Sequence, residues 1–327
     1  MQLKLNEYLS RAGFGKMIAA ALPLSGGLMH RMYRVQTEKG IFALKLLNKE
    51  VMKRPEALHN MVMSEKIAHA LQGKVPLVAA AETNGSCVHY FDEQYYMVYP
   101  WLEGCSIFPP EIRENHCAKM GEVLANIHEA GISVDGVEKT AFVREEKDWE
   151  TVLSVCRQEA WASEIKKLLP EIENWQKSGC LAAEKLSGFQ VISHRDLDPK
   201  NVMWQKDAPV LIDWEAAGYI NPWQEAVECL FYWADDGRGR LNKSLFQAFL
   251  SAYAKGRSLS GAPWDEALSC GYLGMIDWLY YNARRAAGFE DINETELGRE
   301  QVFSTIETLK NRGKANEQML AWLTNRI

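Results

Sequence analysis

The residues richest in chemistry are His194-Arg195-Asp196-Leu197-Asp198-Pro199-Lys200-Asn201, followed 17 residues after Asp196 by Asp213 in Leu211-Ile212-Asp213-Trp214-Glu215. Two carboxylates and one amide carbonyl suit one task. Moving a phosphoryl group from a nucleotide requires a carboxylate beside the attacking hydroxyl. It also requires oxygen ligands for magnesium, a hard cation. The five-residue step from Asp196 to Asn201 lets a tight loop point both side chains into one cleft. The strand and turn that follow are expected to return Asp213 to the same place.

These side chains need a scaffold. The 327 residues suffice for two domains, or for one domain built as two lobes. Hydrophobic residues make up 47% and charged residues 24%, the balance of a packed globular chain. No run approaches the roughly 18–20 apolar residues that span a membrane. The N-terminus, MQLKLNEYLSRAG, lacks the apolar core of a secretory signal, so a cytoplasmic location is expected. Cysteines at 87, 105, 117, 156, 180, 229 and 270 are odd in number, scattered and free of CxxC pairs. They argue against a disulfide framework and against a zinc site.

A net charge of −6 speaks against a nucleic-acid partner. Residues 1–103 carry 12 Lys+Arg against 9 Asp+Glu, and residues 104–327 carry 25 against 34. The asymmetry reads either as unequal surface decoration, or as an anion-binding first part and a second part tolerant of cationic ligands.

The first hundred residues alternate β and α patterns. VQTEKGIFALKLL reads as a hairpin turning at Glu38-Lys39-Gly40, with a strand from Ile41 to Leu47. Ala57–Leu71 has helical spacing without Gly or Pro, and SCVHYF and QYYMVYPW read as strands. Beyond Gly104 long helices dominate. Cys117, Met120, Leu124, Ile127 and His128 share one face of a helix ending near Gly131. Trp149–Leu169 reads as another, and Asn221-Pro222 starts one that runs to Asp235-Asp236-Gly237. Further helices are expected at 242–255, 265–287, 294–312 and 315–325, with a compact β-and-loop insert over 190–215.

The 194–201 stretch resembles the kinase catalytic loop H-R-D-L-x-x-x-N and matches every fixed position. Where protein kinases carry D-F-G, this chain has Asp213-Trp214-Glu215, and no activation segment ending in A-P-E follows. That combination resembles the aminoglycoside phosphotransferase and choline kinase family over about residues 20–285. The resemblance implies an α+β, protein-kinase-like two-lobe fold. Its parts would be a small β-rich, nucleotide-binding N-lobe with one main helix (1–103) and a larger, mostly helical C-lobe (104–327).

It also implies residue roles. Asp196 is the catalytic carboxylate, and Asn201 and Asp213 hold one or two magnesium ions. Lys45, in Ala43-Leu44-Lys45, binds phosphates. Glu65 is the expected partner of Lys45, with Glu56 and Glu50 as alternatives. Ser25-Gly26-Gly27 stands in the place of a phosphate-covering loop, although it is not GxGxxG. The Pro100 carbonyl and Leu102 N–H would hold a purine, with Ala43 and Met203 on its faces or simply in the core. Glu225 replaces an aspartate that braces the loop. Lys200 either reaches the γ-phosphate or is solvated, and Glu215 either lines the substrate site or forms a salt bridge within the second lobe.

The implied activity transfers the γ-phosphoryl group of ATP or GTP, with Mg2+, to the hydroxyl of a small acceptor. A cationic acceptor, an aminoglycoside or an amino alcohol, fits the acidic second part; homoserine-like and thiamine-like acceptors also remain open. Trp278, Tyr280, Tyr281, Trp223, Trp233 and Trp264 could cage an ammonium or fill the core, and Arg284 and Arg285 could bind an anion or cap a helix. A protein kinase and a catalytically silent nucleotide-binding module are the other classes. Neither a nucleic acid nor a membrane is expected as partner, and oligomeric state is not legible.

Overall fold

Apolar side chains at every second position build the first sheet. Its strands are β1 (Leu22–Leu24), β2 (Arg31–Thr37), β3 (Gly40–Leu46), β4 (His89–Phe91) and β5 (Gln94–Pro100), antiparallel in the order β1-β2-β3-β5-β4. A period of two sends Leu44, Tyr96 and Val98 to one face. There α1 (Gln2–Arg11) lays Leu5, Tyr8 and Leu9 against them, and Tyr8 stacks on Tyr96 at 4.4 Å. Lys45 and Met97, paired across β3 and β5, take the opposite face, where Met97 packs with Met61 of α3 (Ala57–Leu71). The one-turn α2 (Lys49–Met52) precedes α3 and is capped by Asn48.

The computed structural model describes residues 2–24, 30–139, 142–143, 146–238, 240–290 and 292–325. They fall into two compact units. The sheet belongs to the unit made of Met1–Ile112, Glu122–Glu138 and Ile192–Gly218. The segment with the catalytic-loop motif is in that same unit. It holds β6 (Val191–Ser193), a 3-10 turn at Pro199–Asn201, β7 (Val202–Gln205), β8 (Ala208–Leu211), a 3-10 turn at Trp214–Ala216 and the start of β9 (Gly218–Ile220).

Backbone hydrogen bonds stitch this segment in place. Val78 N–H donates to Leu211 O at 2.9 Å, and Leu211 N–H donates to Pro76 O at 2.9 Å. On the other strand of the β7–β8 hairpin, Trp204 N–H donates to Cys105 O at 2.9 Å. The last approach needs Gly104. Its φ is +148°, and a Cβ there would stand 2.5 Å from Trp204 O. Gly104→Ala is therefore expected to destabilise the chain by about 2 kcal/mol or more, read as a lower urea midpoint at unchanged slope.

The second unit is helical: α5 (Trp149–Val155), α6 (Ala160–Leu186), α7 (Pro222–Trp233), α8 (Lys243–Gly256), α9 (Trp264–Ala286) and α10 (Thr295–Thr324). Helix α4 (Glu114–Glu129) is divided between the units after Gly121. Ile165 and Ile172 of α6, Ile276 and Leu279 of α9, and Val302 and Ile306 of α10 share one core. Asn221 caps α7 as expected, its Oδ1 accepting from Trp223 N at 3.0 Å and Gln224 N at 3.3 Å.

Two helix boundaries differ from the sequence reading. The stretch expected as one helix over 149–169 breaks at Cys156 (φ −122°, ψ 32°) and resumes at Ala160, running to Leu186 through Pro170. Burial of Leu168 and Ile172 on either side of Pro170 offsets the roughly 3 kcal/mol that an interior proline costs. The helices expected at 294–312 and 315–325 are one, because Leu309, Met319 and Leu323 are all buried around Gly313. An interior glycine costs only about 1 kcal/mol. Helix α1 was not anticipated, although Leu5, Tyr8, Leu9 and Ala12 have helical spacing. Among the described residues no helix is long and apolar enough to cross a membrane.

Candidate active site

The catalytic-loop segment is shaped by its own side chains. Asp198 caps the Pro199–Asn201 turn, accepting from Lys200 N at 2.8 Å, with Pro199 at the first position. His194 is fully buried. Its Nδ1 accepts from Asp196 N at 3.3 Å, which leaves the proton on Nε2, 3.0 Å from Ile212 O. Ile212 N in turn donates to Asn201 O at 3.0 Å. The residue before Asp213 is thus bonded to both ends of the loop that carries Asp196 and Asn201.

Asn201 is 3% exposed, and its Nδ2 donates to Asp196 O and to Asp196 Oδ2, both at 2.8 Å. Both amide donors are spent on one residue, so Oδ1 remains an acceptor. Lys200 Nζ lies 3.3 Å from Asp196 Oδ2. Asp213 sits in the left-handed region (φ 59°, ψ 70°), which ends β8 sharply and starts the Trp214–Ala216 turn.

Lys45 joins this group from the sheet. Its Nζ donates to Asp213 Oδ1 at 3.1 Å and to Glu215 Oε1. Burial lowers its pKa, but the two carboxylates outweigh burial and hold it above the ordinary lysine value. Glu215 Oε2 faces His30 Nε2 at 3.4 Å. Burial alone would raise the Glu215 pKa; the His30 hydrogen bond and the Lys45 charge pull it down to about 2. His30 Nδ1 accepts from Asn48 N at 3.0 Å.

One expected pairing is replaced. Glu65 of α3 is 3% exposed, but its carboxylate accepts from Ala80 N at 2.7 Å and from the Tyr99 hydroxyl at 2.8 Å. Each of its oxygens accepts one of these bonds, and the ion pair with Lys45 is made by Glu215. Glu215 does form a salt bridge, but with Lys45 of the sheet rather than with a partner from residues 104–327.

Burial raises the Glu65 pKa above 4.5, against the opposing effect of its hydrogen bonds. The folded chain therefore holds this proton more tightly than the unfolded chain does. Stability from this group is present below the unfolded value and is lost as pH rises through the folded one. Glu65→Gln should flatten that decline, seen as urea midpoints that vary less as pH is raised above the ordinary glutamate range.

Ala43 shares the sheet face of Lys45, and Pro100 ends β5 opposite Phe42. Leu102 N–H has no acceptor among the described residues, whereas the neighbouring Trp101 N–H donates to Ile41 O at 3.3 Å. Met203 is half-buried on β7. Ser25, Gly26 and Gly27 lie outside the described residues. His30 was missed by sequence reasoning, since a lone histidine after a Gly-Gly pair carries no motif.

In the helical unit, Glu225 is buried in α7. Trp233 and Trp264 are core residues, and Tyr280 packs edge-on to Trp149 at 5.0 Å. Trp278 and Tyr281 stack at 5.8 Å, and the Arg285 guanidinium covers Tyr281 at 4.9 Å. Arg284 pairs with Glu290 at 3.0 Å and Arg285 with Glu294 at 2.8 Å, so both arginines have carboxylate partners.

An antiparallel sheet with one main helix, a helical remainder and this loop define a protein-kinase-like fold. The chain belongs to the phosphotransferase enzyme family, whose model matches residues 20–259, and is a kinase with an alcohol group as acceptor. It is 24% identical over 264 residues to a homoserine kinase of Rhodopseudomonas palustris, spanning 79% of this chain and 77% of that one. Its fold is similar to a spectinomycin phosphotransferase crystallised with ADP and spectinomycin, at TM-score 0.72 and 12% identity over 96% of this chain and 98% of that one. A choline/ethanolamine kinase family protein from Mesorhizobium loti matches at TM-score 0.60 and 16% identity, over 99% of each chain.

Proposed function

We propose that this chain transfers the γ-phosphoryl group of ATP or GTP to the hydroxyl of a small amino alcohol, with homoserine the first acceptor to test. The observation that carries the reading is Lys45, drawn from the sheet onto Asp213, beside a loop whose Asn201 grips Asp196. Lys45 would hold phosphate oxygens. The Pro100 carbonyl and the Leu102 N–H would hold the base, with Ala43 and Met203 on its faces. Asp196 would accept a hydrogen bond from the acceptor hydroxyl and take its proton late, because transfer through a loose transition state rests on positioning and charge neutralisation.

The donor set fits magnesium. Asn201 Oδ1 and the Asp213 carboxylate are hard oxygen ligands, and no thiolate or imidazole stands among them. When bound, the cation would neutralise charge on the phosphates. Similarity to homoserine kinases over most of the chain favours a small amino alcohol over a sugar. The negative balance of residues 104–327 supports a cationic group on it.

The test is nucleoside diphosphate release from ATP and from GTP, with magnesium. Homoserine, choline, ethanolamine, aminoglycosides, sugars and a protein mixture are offered in turn. Release above the acceptor-free rate is expected with at least one amino alcohol. Transfer only to protein, or none to any acceptor, would overturn the reading.

A further inference from the structure

We propose that His30 is a positioning residue that aims Glu215, and through Glu215 the Lys45 ammonium, at the nucleotide phosphates. The proposal rests on the phosphotransferase reading above and adds to it a residue outside every motif.

His30 is 6% exposed, and a buried imidazole must have both nitrogens satisfied. Asn48 N–H donates to Nδ1 at 3.0 Å, so Nδ1 is the acceptor and Nε2 carries the proton. That proton faces Glu215 Oε2 at 3.4 Å, while Glu215 Oε1 is on Lys45 Nζ. One carboxylate therefore stands between an imidazole nitrogen and an ammonium, one oxygen toward each. The anchor at the far end is backbone, at the residue that caps α2. Lysine is a point charge on a flexible four-carbon stem, so a carboxylate locked from behind sets where that charge stands. The helix carboxylate Glu65 is engaged by Ala80 and Tyr99, which leaves Glu215 to do this.

Two substitutions separate the two ends of the imidazole. His30→Asn keeps an acceptor near Nδ1 for Asn48 and loses the donor to Glu215. His30→Gln keeps a donor near Nε2 and loses the Asn48 contact. We expect His30→Asn to raise the ATP dissociation constant measured in EDTA by about 10-fold, the scale of a lost hydrogen bond to a charged group. KM for ATP should rise similarly, with kcat changing less than about threefold. His30→Gln should stay within about threefold of wild type on both measures. In a Glu215→Gln background, adding His30→Asn should change ATP affinity less than about twofold.

The reverse order of the two variants would mean that His30 only anchors Asn48, and would overturn the proposal. So would a His30→Asn chain that no longer folds, one that binds ATP like wild type, or a full His30→Asn effect without Glu215. Wild-type protein that binds no ATP at all would instead sink the phosphotransferase reading, so the two failures are distinguishable.

Discussion

Asp213→Ala is expected to abolish magnesium-dependent phosphoryl transfer, by about 10³-fold or more, the scale of losing a charge clamp on the transferring group. Two losses coincide at this side chain. One of the two proposed protein ligands for the cation disappears, and Lys45 loses the carboxylate that holds it at 3.1 Å. The Asp213 side chain is 44% exposed, so little packing is lost with it. The backbone is the one complication, since φ is +59° and aspartate and asparagine tolerate that region better than alanine does. Asp213→Asn keeps the turn and removes only the charge, and the same collapse of turnover is expected of it. Single-turnover transfer with ATP and magnesium, beside urea midpoints for both variants, checks this. Near-normal turnover by either folded variant would remove Asp213 from the role proposed for it.

Asp196→Asn should lower kcat by roughly 10²–10⁴-fold while leaving nucleotide affinity within about twofold. The substitution is nearly isosteric, and an asparagine oxygen can still accept from Asn201 Nδ2, as Asp196 Oδ2 does at 2.8 Å. The loop should keep its shape. What disappears is the basic oxygen for the acceptor proton and the negative charge that Lys200 Nζ meets at 3.3 Å. Calorimetric ATP binding with steady-state kinetics on the acceptor separates the two quantities. A loss of affinity as large as the loss of kcat would make Asp196 a nucleotide ligand instead.

Legibility in the sequence followed the range of the interaction concerned. The Asp196-to-Asn201 loop was readable because its shape is made locally. A capping aspartate, a proline at the first turn position and an imidazole bonding two residues away all lie within eight residues. The face occupied by Lys45 was readable because strand alternation places it opposite Leu44. The carboxylate that Lys45 meets was not. Glu65 has the expected helix and the expected burial, yet two donors from Ala80 and Tyr99 claim it. Nothing near residue 65 in sequence announces either. Helix ends failed for a related reason. Pro170 and Gly313 are local stop signals, and buried neighbours on both sides overrode them.

Residue types and short spacings, with the family resemblance they carry, therefore pointed to phosphoryl transfer, to the loop proposed to bear it and to the alternation of helix and strand. Those properties arise from backbone sterics and contacts a few residues long. Tertiary structure decided that residues 192–218 gather with the sheet, that Glu215 rather than Glu65 faces Lys45, and that His30 stands behind Glu215. Each joins groups many positions apart, and a charge in a partly dry interior takes whichever partner the packing leaves unsatisfied.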